Sequence, residues 1–164
     1  MNLQFFLEKL ENNEEFNKFL DENKDAFLCS GFFIIDLEGQ SDNKYHLDYF
    51  IPSKNQMISF QLEKEIKQVP VEMLETTAPQ KISEFSKLDF EEIKTMISTE
   101  MELNKINKSM QKIILSLQNA DSKNVWLCTV FISGMGLLKV VIDDSEKKIT
   151  HFERKSFSDF FKKA

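Results

Sequence analysis

The stretch that most constrains this 164-residue chain lies near its C-terminal end, where residues 125–132 and 137–143 flank Ser133-Gly134-Met135-Gly136. Two apolar-rich runs joined by four residues, two of them glycine, fold readily as an antiparallel hairpin. Turn composition at 39–43, 52–55 and 144–147 extends the pattern, because connections this short cannot carry a parallel crossover. A further strand is expected at 149–152. Ser156, with Asp159 three residues on, reads as the cap of a terminal helix over 157–163.

Upstream, apolar residues recur at helical spacing from Leu3 to Leu20, interrupted by Asn12 and Asn13. Asparagine caps better than it propagates, and Asn12 with Glu15 forms a capping box, so two short helices are expected. Residues 27–37 are apolar on both parities, the pattern of a central strand covered on both faces. Tyr45, Leu47, Tyr49 and Ile51 alternate as a strand should, as do Ile58, Phe60 and Leu62. Val69-Pro70-Val71 fits only an edge or an exit, since proline cannot donate to a ladder.

Asp89 with Glu92 then opens a helix expected to run to Asn119, with Leu103, Ile106, Met110, Ile113 and Leu117 spaced 3-4-3-4. About 30 residues would span roughly 45 Å. The expected fold is α+β in the order α-β-β-β-α-β-β-β-α, an antiparallel sheet of five or six strands with one long helix packed across a face. Trp126, Phe33, Ile35, Phe60, Val130, Ile113 and Leu117 are expected in its core. Residues 1–164 read as one domain. If it divides, the halves are 1–74 and 89–164, joined by 75–88.

Composition narrows the function classes. The net charge is −6, and Arg154 is the single arginine among 21 basic residues, so the clustered guanidinium contacts of a nucleic-acid surface are missing. No apolar run approaches the ~20 residues of a membrane span. The first eight residues lack a basic segment and an uninterrupted apolar one, which leaves the cytoplasm as the expected location. Cys29 and Cys128 sit inside apolar runs and read as buried free thiols.

Candidate sites are few. His46-Leu47-Asp48 places an imidazole and a carboxylate on one strand face, the layout of a general base or of half a metal site, although a lone histidine there is commonly just exposed. Asp143-Asp144-Ser145-Glu146 gathers oxygens but lacks the ligand spacing of a calcium loop, and reads as a hairpin turn. Met96, Met101, Leu103 and Met110 form a possible interface, because the long apolar stripe exceeds what one sheet contact covers. No catalytic, cofactor or metal set is assigned.

Two resemblances follow from these elements. Asn124-Val125-Trp126-Leu127, continued through Val140-Val141-Ile142-Asp143-Asp144 to Ile149 and on to residue 152, resembles a PepSY repeat: an aromatic opening strand, a glycine turn, and a strand ending in hydrophobic-Asp. It departs at Glu146-Lys147, where the family has a small residue and glycine. The element order is similar to that of type III secretion chaperones, which are small, acidic and dimeric. These resemblances imply a binding or regulatory module and transfer no functional residue. The expected function is a non-enzymatic cytoplasmic module for protein–protein interaction, chaperone-like, with a protein partner or a second copy as homodimer. Two alternatives stand beside it: a small apolar ligand or lipid carrier, suggested by sixteen Phe, and an enzyme using His46 and Asp48.

Overall fold

Asn12 and Asn13 split the first apolar run into α1 (Leu3–Glu11) and α2 (Glu14–Glu22). The cap of α2 is Asn13 and not the expected Asn12: the Asn13 side chain accepts the Phe16 N–H at 2.9 Å, while the Asn12 amide donates to Glu8 O and closes α1, so no box forms between Asn12 and Glu15. The computed structural model describes residues 1–39, 41–73, 77–82 and 88–156, so the helix expected over 157–163 lies outside the described residues. Four strands follow the two helices: β1 (Phe27–Asp36), β2 (Lys44–Ile51), β3 (Gln56–Gln61) and β4 (Lys67–Val71), with one 3₁₀ turn at Pro52–Lys54. Then come α3 (Phe90–Leu103), β5 (Met110–Ala120), β6 (Lys123–Ile132), β7 (Gly136–Asp143) and β8 (Lys148–Ser156).

The sheet therefore has eight strands, not five or six, in the order β4-β3-β2-β1-β5-β6-β7-β8, and every neighbouring pair is antiparallel. Segments 1–74 and 89–164 each supply four of them, and β1 against β5 joins the two meanders. β4, with Pro70, takes one edge.

The long helix is also corrected. α3 has 14 residues and stops at Leu103, capped by Asn104. Lys105 turns to a φ of 57°, and the Ile106 N–H folds back to Met101 O at 2.9 Å. Beyond this point Met110, Ile113 and Leu117 keep helical spacing, but Ile113, Leu115 and Leu117 also alternate. Pairing with β1 on one side and β6 on the other selects the alternation. The capping expected at the start of α3 is present, with Asp89 accepting the Glu91 and Glu92 N–H groups.

All three helices cover the same face. Phe6 of α1 packs 5.4 Å from Phe33, Phe90 of α3 packs 4.9 Å from Phe33, and Phe16 and Phe19 of α2 meet Phe60 and Tyr49. Gly31 permits this layer, since a Cβ there would stand 2.9 Å from the Phe33 ring. Trp126 has no exposed surface, and its indole N–H donates to Asp144 Oδ1 at 2.8 Å. Phe33, Phe60, Val130, Ile113 and Leu117 are buried as expected, whereas Ile35 is only partly so.

Candidate functional site

Directly opposed residues in a ladder share a face, and the register carries one row across the side turned away from the helices. Phe32 lies opposite Ser116, Ser116 opposite Leu127, Leu127 opposite Val141, and Val141 opposite His151. The next row runs Ile34, Ile114, Thr129, Lys139, Glu153. Leu127 is 39% exposed, and Phe32, Ile34, Ile114 and Val141 are half-buried. β1 is thus central but not covered by a helix on both faces. Its apolar residues on the second parity belong to this open face, and that excess was the available sign of the surface; nothing in the sequence placed Leu127 or Val141 beside them.

At one end of the face, residues 77–82 pass close to the sheet. The Ile82 N–H donates to Leu28 O at 3.0 Å, and the Asn119 amide donates to Lys81 O at 2.7 Å. The strap formed by 72–73 and 77–80 and the sheet residues Cys29, Ser30, Met57, Gln118 and Asn119 together line a slot of about 470 Å³. Asn119 Oδ1 is buried beneath this surface, without a hydrogen-bond partner among the described residues. Cys29 donates its thiol to Asp48 O, and burial, reinforced by the Asp48 charge, pushes it up to about 12. Burial alone does the same to Cys128, so both thiols are free, buried and protonated at neutral pH.

His46 and Asp48 share the open face but engage different partners. His46 Nε2 lies 2.6 Å from Glu63 Oε1, which also accepts the Tyr45 N–H, and Asp48 accepts the Ser30 hydroxyl at 2.8 Å. Among the described residues no hydroxyl or thiol bonds His46. The proposed interface set is divided by the fold: Met101 is buried in the core, Met96 is half-buried on α3, Met110 begins β5, and Leu103 stands 72% exposed. Asp143 closes the β7–β8 turn by accepting the Glu146 N–H and the Ser145 hydroxyl. The backbone bond from Glu146 outweighs desolvation in holding its carboxyl below the ordinary aspartate range, helped by Lys123. No three His, Cys, Asp or Glu side chains among the described residues gather as metal donors.

No protein-family model matches the chain, and no curated protein does. A crystal structure from Clostridium difficile 630, provisionally described as a lipoprotein, has a similar fold. The TM-score is 0.56 at 14% identity, over 94% of this chain and 99% of that one. At that identity the likeness concerns the fold alone. The expectation of a cytoplasmic location rests on the first residues of the sequence. Among the described residues, no helix is long and apolar enough to cross a membrane.

Proposed function

We propose that the protein is a non-enzymatic binding module that docks a protein partner on the open face of its sheet. The observation supporting this is the uncovered row of Phe32, Leu127 and Val141, broadened by Ile34 and Ile114. An antiparallel sheet with one wet face normally carries polar residues there, and contiguous uncovered apolar surface is a mark of interaction sites. The apolar residues surround Ser116 at the middle of the row, with His46 and Asp48 on one flank and Lys139, His151 and Glu153 on the other. That is the core-and-rim arrangement of protein interfaces. The partner would present aliphatic or aromatic side chains ringed by charges of both signs.

The carrier reading has less support, because Phe6, Phe33, Phe90 and Trp126 pack on one another where an apolar ligand would sit. Self-association through α3 also loses its motive once the stripe is split between a helix and a strand. Leu127→Glu tests the docking reading by placing a charge at the centre of the row. Affinity capture with wild type and variant side by side, at matched melting temperature, is expected to retain one stoichiometric partner on the wild type and lose it on the variant. Equal recovery on both would overturn the reading.

A further inference from the structure

We infer that the open face docks a second copy of this chain, sheet against sheet, about a two-fold axis running along the strands between β5 and β6. The inference rests on the docking row proposed above and names its occupant. What carries it is a pattern of charge and bulk that is complementary to itself.

The row through Leu127 runs from His46 on β2 to His151 on β8. The row on one side of it begins at Lys44 and ends at Glu153, and the row on the other side begins at Asp48 and ends at Lys148. Lys44, Glu153 and Lys148 are exposed and Asp48 is half-buried. The two ends of each flanking row therefore carry opposite signs. β2 and β8 lie about 24 Å apart in one chain, too far for these charges to pair within it.

The midpoint between β2 and β8 falls between β5 and β6. A two-fold axis there, parallel to the strands and lying in the interface, exchanges β2 with β8, β1 with β7 and β5 with β6. Lys44 then meets Glu153 of the second copy and Asp48 meets its Lys148, each contact occurring twice. Bulk matches as well. Leu127, the most exposed apolar side chain of the row, comes to lie over Ser116, its smallest member, and Phe32 over Val141. Side chains of two packed sheets interdigitate in this way. β3 and β4 fall outside the patch, and residues 77–80 border it at Ser30 and Gln118.

Three rows about 6.8 Å apart on six strands about 4.8 Å apart make a face of about 500 Å² per copy. A standard interface takes about 800 Å² per partner, so this dimer is a weak one, populated at high concentration.

The test is sedimentation equilibrium of the full chain from micromolar to millimolar concentration, with variants of matched melting temperature. Lys44→Glu and Glu153→Lys each set like charges at both contacts and should raise the dissociation constant roughly tenfold. The two substitutions together should restore wild-type association, because each reversed charge then meets the other across the interface. Within one chain the two sites are separated by more than a Debye length, so rescue can come only from contact between copies. A wild type that stays monomeric throughout, or a double variant that associates no better than the single ones, would overturn this arrangement. If a monomeric wild type still captures another protein through Leu127, the second copy is overturned as occupant and the docking row stands. If that capture is also indifferent to Leu127→Glu, both readings fall.

Discussion

Trp126 is the residue on which the two sides of the core meet. It is fully buried, it lies 5.9 Å from Phe33 and 6.2 Å from Phe90, and its one polar atom is matched by Asp144, itself 5% exposed. Removing the acceptor leaves an indole N–H with no water to turn to. Asp144→Ala is expected to lower stability by about 1–3 kcal/mol in urea unfolding. In combination with Trp126→Phe the loss should be smaller than the sum of the two single losses, because both delete the same bond. Full additivity would show that the pair does not act as a unit. Trp126 was legible as core from its apolar run, but its partner was not. Asp144 sits in a turn whose composition says only that the chain reverses.

Among the elements, β5 shows most clearly how one string of residues supports two periods. Leu103, Ile106, Met110, Ile113 and Leu117 satisfy a helix, and Ile113, Leu115 and Leu117 satisfy a strand. Ladders on both sides give every second side chain a place against the helical layer, and that tertiary gain exceeds a per-residue helical preference of a few tenths of a kcal/mol. Leu115 is 1% exposed, whereas Ser116 points to the open face. Leu115→Ala is therefore expected to cost about 2–5 kcal/mol in chemical denaturation. Ser116→Ala should change stability by less than about 0.5 kcal/mol, as surface substitutions do. On a helix, by contrast, residue 116 would be the surface neighbour of 113, three residues away. Equal costs at the two sites would contradict the strand.

On the scale of the molecule, an eight-stranded open sheet has two edges that invite pairing with other chains. β4 meets this with Pro70, opposite Ile58, and β8 with Lys148, His151, Glu153, Arg154 and Lys155 along its length. Proline is tolerated in a ladder only where its nitrogen faces outward, so it withholds a donor from the free edge. Pro70→Thr restores that donor. Sedimentation velocity over a range of concentrations is expected to show association of the variant beyond that of the wild type. Identical behaviour would mean that the edge is guarded by something other than proline.

What the sequence alone determined were the features that depend on neighbours in the chain. These are the break at Asn12 and Asn13, the cap at Asp89, the glycine turn at 133–136, the antiparallel sense of the hairpins and the confinement of Pro70 to an edge. Each follows from local backbone chemistry, and each is present in the folded chain. Only the tertiary structure decided that 110–120 is a strand, that β1 pairs with β5 across some eighty residues, and that the second parity of β1 faces away from the helices. Apolar character at Phe32 and Ile34 is the same whether a helix covers them or not. The physical reason is that burial is a property of what arrives from elsewhere in the chain. The open row at Leu127 and the slot at Asn119 come into being only when distant strands lie side by side.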